Sequence, residues 1–495
     1  MSSVPTAQDT APATAGAVFA AVDIGASSGR VILGRVTGSE VTLETVHRFP
    51  NGVVELDGGL RWDFDALFGE VLAGLAAAAR VAGEHGESIA SIGIDTWAVD
   101  YGLVNAAGEL TAQPFSYRDD RSRAAVAPVH RKLDPARLYG TTGLQFLQFN
   151  TLYQLATERD LDGLQALLIP DLIAFFLTGQ RRTESTNAST TGLFDAVAGE
   201  WATGFLTALG LPKDLFPPLI EPGETVGTLL PEIAARVGLP ASTTVVAVGS
   251  HDTASAVAAV PAGPSAADAE TFAYISSGTW SLVGLELDHP VLTEASRAAN
   301  FTNERGVDGT IRYLRNMGGL WLLSECQRTW AAEGHTPELT DLLAAAAALP
   351  PGGPQINPDD SAFIAPDNMP ERIRATVRHT GDILPDNPAA ITRCIMDSLA
   401  TGYARTIADA ERLADRTVDV VHIVGGGSQN RLLCQLTADT TGKKVVAGPV
   451  EATAVGNVLV QARAAGHISG GLTELRRLVV SSHELQTFSP QLSRL

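Results

Sequence analysis

The chain has 495 residues, of which 45% are hydrophobic and 18% charged, a balance typical of a globular protein with two or three packed domains. Its formal net charge of −20 disfavours nucleic acids and acidic membrane surfaces as partners, because both are polyanionic. The three cysteines have neither zinc-site nor disulfide-framework spacing, which favours a reducing, cytoplasmic location. At the start of the chain, residues 1–17 are small and polar and predict a disordered tail.

The first ordered element is expected at Val18. Residues 18–24 and 31–36 are apolar runs with the pattern of buried strands. The six residues between them, 25–30, read Gly-Ala-Ser-Ser-Gly-Arg, a composition typical of turns. Strand, turn and strand together predict a β-hairpin.

A second hairpin is predicted in the other half of the chain. Residues 272–275 and 282–287 are strand-like and flank another turn, 276–281, that contains glycine and serine. Two halves that each open on such a hairpin predict duplicated domains facing a cleft. Residues 261–270 are rich in proline and alanine, which predicts a boundary between domains. We therefore expect an N-terminal domain at residues 18–260, a C-terminal domain at residues 266–466 and a C-terminal extension at residues 467–495.

Between and after the hairpins, alanine-rich helical patterns alternate with short apolar strands, which predicts an α/β fold. The main predicted helices are residues 64–82, 340–349, 391–413 and 431–440. The main predicted strands are residues 89–94, 245–248 and 420–424.

Two glycine-rich segments are candidates for phosphate or nucleotide contacts. Residues 25–29 match the G-x-S-x-G of hydrolases, but that motif needs a helix after the serine, and here a strand follows. An ordinary hairpin turn and a nest of backbone N–H groups for phosphate oxygens both remain open, with Arg30 adding charge and Asp23 holding a hydrated metal ion. The second segment, 425–430, has asparagine in place of a third glycine, so it is either a tight turn or a flat surface for adenosine.

Carboxylates near predicted strand ends are candidates for catalysis and sugar binding. Asp252 follows a strand and opens a small-residue helix, so it is either a helix cap or a catalytic base at a cleft. His251 has no second histidine or cysteine at metal-ligand spacing, which favours a hydrogen-bonding role. Residues 93–101 and 117–121 combine aromatic rings with carboxylates, which suits a polyol but also fits a solvated strand end.

Taken together, these segments resemble the FGGY family of carbohydrate kinases, which is related to hexokinase, actin and the heat-shock ATPases. The similar stretches are spread from about residue 20 to 460, and they include AVDIGASSGRVILGRV, GIDTWAVDYGLV, STNASTTGLFD, YISSGTWSLVGLE, AANFTNERG, IRYLRNMGGLWLL and HIVGGGSQNRLLCQL. SHDTASAV and QFLQFNTLYQL are similar to the members that phosphorylate L-rhamnulose rather than glycerol or xylulose.

The resemblance implies two ribonuclease-H-like domains of actin-like ATPase type, with MgATP and a small ketose bound in the cleft between them. It implies that Asp252 accepts the proton of the sugar hydroxyl. The sugar-binding residues that it implies are Ala98, His251, Asp252, Thr253 and Asn316. The ATP-binding residues that it implies are Ala26, Ser27, Ser28, Gly29, Arg30, Thr279 and Gly426.

Two positions depart from the family pattern. Ala98 stands where glycine is common, so its methyl group is expected to narrow the sugar pocket. Ser324 stands where glutamine is common, which removes a nucleotide contact. The alternatives to a rhamnulose kinase are a kinase for another ketose or polyol, such as xylulose, fuculose or glycerol, a non-sugar ATPase of the actin or chaperone type, and a sensor without chemistry.

Overall fold

The structure, a computed structural model, describes residues 16–262, 271–364 and 367–491. Residues 1–15 of the predicted tail, and residues 263–270 of the predicted boundary segment, lie outside the described residues. Ala17, the last residue of the predicted tail, is instead buried and begins the first strand.

The first half of the chain alternates strands with mostly short helices. Its described strands are β1 (Ala17–Ile24), β2 (Ser28–Val36), β3 (Val41–Pro50), β4 (Val53–Leu56), β5 (Gly59–Trp62), β6 (Ile89–Thr96), β7 (Tyr101–Val104), β8 (Gln165–Leu168), β9 (Thr183–Glu184), β10 (Phe194–Asp195), β11 (Glu200–Trp201), β12 (Leu219–Ile220), β13 (Thr225–Thr228) and β14 (Thr244–Val246). Its described helices are α1 (Phe64–Glu84), α2 (Val126–Lys132), α3 (Pro135–Thr142), α4 (Thr151–Leu155), α5 (Ile169–Thr178), α6 (Ser185–Ala188), α7 (Thr203–Leu209), α8 (Pro231–Val237) and α9 (Asp252–Ala258), with a 3₁₀ turn at Asp120–Ala125.

The first sheet has six strands in the order β13-β14-β6-β1-β2-β3. β1 pairs antiparallel with β2 and parallel with β6, so the predicted first hairpin is confirmed. β1 is buried along its whole length, and α1 covers one face of the sheet with an apolar stripe. That arrangement explains the continuous apolar run of β1, because a strand buried on both faces has no polar side.

The second half contains fewer strands and longer helices. Its described strands are β15 (Phe272–Ser277), β16 (Trp280–Leu287), β17 (Thr302–Arg305), β18 (Ile311–Gly318), β19 (Val420–Val424), β20 (Lys444–Ala447) and β21 (Gln486–Phe488). Its described helices are α10 (Glu294–Ala298), α11 (Trp321–Ala332), α12 (Leu339–Ala347), α13 (Met369–His379), α14 (Pro388–Ala414), α15 (Arg431–Thr441), α16 (Ala452–Ala464) and α17 (Leu472–Ser482), with 3₁₀ turns at Val307–Gly309, Ser361–Phe363 and Gly426–Gln429.

The second sheet repeats the plan of the first. Its order is β17-β18-β16-β15-β19-β20-β21, and β15 pairs antiparallel with β16 and parallel with β19. The hairpin β15–β16 therefore corresponds to β1–β2, and β19 to β6. The predicted α/β fold with two sheet-containing domains is confirmed. The exact domain boundaries stay a prediction.

Two helices cross between the sheets and join the halves. α16 comes from the second half of the chain but packs on β1 and β6 of the first sheet, and α9 lies against it. The crossing is close: a Cβ atom built on Gly456 of α16 would lie 1.9 Å from the carbonyl oxygen of Ser255 in α9. Side chains from both halves fill one apolar cluster around these helices.

Among the described residues, α1 is the one helix whose length and composition alone would allow it to cross a membrane. Asp63 caps its first turn, since its side chain accepts a hydrogen bond from the backbone N–H of Ala66. The apolar stripe of α1 packs on the first sheet, which is the usual environment of a core helix.

Candidate active site

A cavity of about 340 Å³ lies between the two halves, where the β1–β2 and β15–β16 turns meet the start of α9. Nearly all the residues predicted to bind the sugar, ATP or a metal ion line this one cavity: Asp23, Ala26, Ser27, Ser28, Arg30, Ala98, His251, Asp252, Thr253, Thr279, Asn316 and Gly426. Gly29 does not line it. Gly29 is buried, and a Cβ atom there would lie 2.2 Å from the ring of Phe49, so this glycine makes room for packing rather than for a ligand.

The first hairpin turn is shorter than the sequence predicted. β2 begins at Ser28, because the Gly25 N–H donates to the carbonyl of Ser28 (2.9 Å) and closes the turn. Asn51 holds the turn from outside: its side chain donates to the Gly25 carbonyl (2.8 Å) and its N–H to the Ser27 carbonyl (3.1 Å). Ser27 and Ser28 are exposed at the rim of the cavity, where a ligand can reach them.

The second hairpin turn is held by the start of α11. The N–H groups of Leu320 and Trp321 donate to the carbonyls of Gly278 and Thr279 (3.0 and 3.2 Å). Gly319 allows this approach, since a Cβ atom there would lie 2.6 Å from the backbone of Trp280. These two hydrogen bonds join the turn to the start of α11.

The third glycine segment contains one glycine that faces open space. Gly425 has a φ of 81°, a conformation that favours glycine, and Gly427 packs so closely on Ser277 that no Cβ atom fits. A Cβ atom on Gly426 would contact nothing, and Gly426 lines the cavity. Asn430, which stands in place of a third glycine, caps α15 by accepting from the Leu433 N–H.

Negative charge gathers at the end of β1. The Arg30 guanidinium donates twice to Asp23 (3.0 and 2.8 Å) and also pairs with Glu451. Burial raises the pKa of Asp23 above its usual range, Arg30 opposes this, and the negative charges of Asp252 and Glu451 raise it further. Arg30 is thus already shared between two carboxylates.

A second carboxylate, Asp95, lies buried at the end of β6. It accepts a hydrogen bond from Asn457 of α16 (2.6 Å), but its Oδ1 has no hydrogen-bond partner among the described residues. Burial and then the negative charge of Asp23 raise the pKa of Asp95 well above its usual range. A cation near Asp23 and Asp95 would relieve this excess of negative charge.

A divalent cation accompanied by its own ligands fits this region. Within residues 16–262, 271–364 and 367–491, no three His, Cys, Asp or Glu side chains form a metal-binding group. Mg²⁺ bound to phosphates needs few protein ligands, because it keeps several waters and takes oxygen atoms from the phosphates. Asp23, which lines the cavity, therefore suits a contact through water, whereas Asp95 is completely buried and does not line the cavity.

Asp252 is the first residue of α9, and the turn before it is fixed by a buried carboxylate. Glu184 accepts from both the N–H (3.1 Å) and the hydroxyl (2.6 Å) of Ser250. The Thr253 hydroxyl donates to Asp252 Oδ1 (2.9 Å), and His251 Nε2 lies 3.6 Å from the same oxygen. The Asp252 carboxylate is partly exposed to the cavity, and Ser250 holds the backbone beside it.

Behind His251 lies a buried ion pair that the sequence did not predict. Arg312, which is completely buried, lies 3.0 Å from Glu304, and both contact His251 Nδ1 at 3.2 Å. Burial alone would raise the pKa of Glu304, but Arg312 and His251 outweigh it and hold the pKa below the usual value. The imidazole is therefore fixed from behind, and its Nε2 edge is directed to Asp252.

The turn after β6 is strained where it borders the cavity. Val99 has a φ of 68°, which is rare for a β-branched residue, and its carbonyl accepts from the Thr151 hydroxyl (2.7 Å). Asp100 anchors the turn from below by accepting from the indole N–H of Trp97 (3.0 Å), and burial raises the pKa of Asp100 to about 6. This turn places Trp97 and Ala98 on the cavity wall.

Two further polar groups on the wall are unsatisfied. Asn150 and Thr302 are buried and line the cavity, and neither Asn150 Oδ1 nor Thr302 Oγ1 has a hydrogen-bond partner among the described residues. Both oxygens are enclosed, so a ligand in the cavity reaches them only if the wall adjusts. Sequence reasoning assigned no role to these residues or to Glu304 and Arg312, although all four lie in stretches that resemble the family. Ser324 is exposed on α11 and does not line the cavity.

Two family models match the chain. Residues 18–259 match the N-terminal domain, and residues 273–465 the C-terminal domain, of the FGGY family of carbohydrate kinases. The chain is 43% identical over 479 residues to the rhamnulokinase of Bacteroides thetaiotaomicron, with 96% of each chain covered. It is 38% identical to the rhamnulokinase of Bacillus subtilis, again with 96% of each chain covered.

Solved structures of sugar kinases share the fold. A gluconate kinase and a ligand-bound xylulose kinase from Lactobacillus acidophilus each have a TM-score of 0.75, at 15% and 16% identity, covering 96% of this chain and 94% of theirs. A glycerol kinase from Plasmodium falciparum solved with ADP has a TM-score of 0.74 at 14% identity, with the same two coverages.

Proposed function

The chain belongs to the FGGY family of carbohydrate kinases, and we propose that it transfers the γ-phosphoryl group of ATP to the 1-hydroxyl of L-rhamnulose. One observation carries the proposal: two glycine–serine hairpin turns from different halves of the chain and the carboxylate of Asp252 line a single cavity. The sugar is taken from the relatives named as rhamnulokinases, which match over nearly the whole chain.

Asp252 is the residue assigned to the acceptor hydroxyl. Its Oδ1 is occupied by Thr253 and faces His251, so Oδ2 is the oxygen assigned to the sugar. Phosphoryl transfer passes through a loose transition state, in which the hydroxyl needs to be aimed more than deprotonated early. The sugar oxygen bonds to the γ-phosphorus, the bond to the β–γ bridging oxygen breaks, ADP leaves with that electron pair, and Asp252 receives the proton.

ATP is assigned to the two hairpin turns and the Gly425–Gly427 segment. Ala26, Ser27 and Ser28 on one side and Thr279 on the other would hold the phosphates, and the open face of Gly426 suits adenosine. Mg²⁺, when bound, neutralises charge on the phosphates. Asp23 would hold it through water, and Arg30 would keep Asp23 in place.

The sugar is assigned to the wall formed by Trp97, Ala98, His251 and Asn316. Asn150 and Thr302 add two polar residues to the lining of the same cavity. A cytoplasmic location, where ATP is available, is part of the proposal, and the three cysteines are free and buried.

The test measures ADP release against a panel of L-rhamnulose, L-fuculose, D-xylulose and glycerol. We expect the highest kcat/KM with L-rhamnulose. A preference for another sugar would contradict the substrate, and ADP release that no member of the panel stimulates would favour an ATPase of the actin or chaperone type. In the same assay, Asp252→Asn should lower kcat by at least about 10²-fold, the contribution of a positioned general base.

The matched control for that variant is Asp288→Asn, an exposed aspartate outside the cavity, which should leave kcat unchanged. Both variants should keep the wild-type affinity for ATP. Near-normal turnover of Asp252→Asn would remove Asp252 from its assigned role.

A further inference from the structure

Gln145 crosses from the first half of the chain to the sugar wall of the second half. It follows α3, where Gly143 ends the helix with a φ of 63°, and its side chain is almost completely buried. Three hydrogen bonds join it to Asn316 of β18. The Asn316 backbone N–H and side-chain Nδ2 both donate to Gln145 Oε1 (2.9 and 3.1 Å), and Gln145 Nε2 donates to the Asn316 carbonyl (3.2 Å).

These bonds fix the orientation of both amides. The backbone N–H of Asn316 needs an acceptor and its carbonyl needs a donor, so Gln145 can be placed in only one way. With Gln145 Oε1 in that position, Asn316 must direct Nδ2 to it. The Oδ1 atom of Asn316 is then left to accept a hydrogen bond from a ligand in the cavity that Asn316 lines.

There is room for Asn316 to move if this restraint is lost. A neighbouring cavity of about 220 Å³ lies on the far side of the same wall, and Gln145 and Asn316 line both cavities. The wall between the two cavities is therefore held in place partly by the hydrogen bonds of the Gln145 side chain. Asn150 supports it from the first half, since its Nδ2 donates to the Gln145 carbonyl (3.0 Å).

We propose that Gln145 is a positioning residue for sugar binding. Its side chain reaches across the cleft and orients Asn316 so that Asn316 Oδ1 points towards a sugar hydroxyl. This inference rests on the proposed function, since it concerns the sugar end of the same site. Because the two residues come from different halves, the sugar contact of Asn316 depends on a side chain that the other half supplies.

The experiment compares Gln145→Ala with Tyr139→Phe. Tyr139 also bridges the halves, through a hydrogen bond of its hydroxyl with Ser296 (2.6 Å), but it does not line the cavity. Gln145→Ala should raise the KM for the ketose at least about tenfold, as expected for the loss of about 1.4 kcal/mol of binding. The KM for ATP should stay within about twofold, and Tyr139→Phe should change neither KM by more than that.

Gln145→Met keeps the length of the side chain and removes all three hydrogen bonds to Asn316, so its ketose KM should rise as in Gln145→Ala. This second variant also tests the positioning role if Gln145→Ala fails to fold. An unchanged ketose KM in the folded variants, or an equal rise in Tyr139→Phe, would overturn the positioning role. The wild type is assayed first on the sugar panel, because a wild type inactive on every sugar refutes the proposed function itself.

Discussion

The crossing of α9 and α16 supports a quantitative prediction for Gly456→Ala. The new methyl group would lie 1.9 Å from the carbonyl oxygen and 2.7 Å from the carbonyl carbon of Ser255, whereas an ordinary van der Waals contact begins near 3.4 Å. The obstacle is backbone, which cannot rotate away as a side chain can. The two helices therefore have to separate by an ångström or more.

The expected cost follows from two opposing effects. Alanine in a helix interior is more favourable than glycine by about 0.5–1 kcal/mol, whereas overpacking costs about 1–3 kcal/mol. The net effect should be a loss of about 1–2 kcal/mol of stability. Gly69→Ala is the matched control, because Gly69 lies inside α1 with nothing within 4 Å of the new methyl group, and it should stabilise by about 0.5–1 kcal/mol.

The assay is guanidinium denaturation of both variants and the wild type, compared by midpoint because two domains need not unfold in one step. Gly456→Ala should also lower kcat, since Ser255 lies in the same short helix as Asp252. If Gly456→Ala were as stable as Gly69→Ala and fully active, the close crossing of α9 and α16 would be wrong.

Two other predictions concern the nucleotide side and pH. Thr279→Val should raise the KM for ATP and lower kcat with little change in the ketose KM, because Thr279 lies at the tip of the second hairpin; a change in the ketose KM alone would contradict its assignment. Burial, helped by Arg476 and Lys444, lowers the pKa of His422 to about 3 from 6.5, so the unfolded chain binds more protons between these values. The stability that the neutral ring contributes is complete above pH 6.5 and is lost as the pH falls towards 3, by about 1.4 kcal/mol per pH unit. The thermal midpoint of His422→Asn should therefore fall less between pH 7 and pH 5 than that of the wild type. Equal decreases in the two midpoints would contradict a buried neutral histidine.

Short sequence patterns predicted the strands, turns and helix starts that depend only on neighbouring residues. β19 and the start of α15 lie where the apolar run and the turn residues predicted them. Both signals are local, because the burial of a strand and the capping of a helix depend on neighbouring residues in the sequence. The two hairpins and Asp252 could also be found, since glycine, serine and a carboxylate at strand ends are visible in short windows. Their assembly around one cavity was expected from the resemblance to a family, and the structure brings them together.

Contacts between distant segments could not be predicted in this way. The position of α16 on the first sheet depends on residues far apart in the chain, and its own sequence does not indicate which sheet it covers. The bonds between Gln145 and Asn316, and the contacts of Glu304 and Arg312 with His251, likewise join segments that are far apart in the chain. The left-handed conformation of Val99 opposes the preference of valine, so only the surrounding contacts impose it.

The placement of α16 bears on how the chain is made in the cell. Synthesis delivers β1 and β6 early, but α16, which covers one face of them, begins only at Ala452. Until then the growing chain presents an apolar surface made of Phe19, Ala21 and Ile32, which α16 later buries. The N-terminal half alone should therefore aggregate or recruit chaperones, and co-expression of the C-terminal half should rescue it.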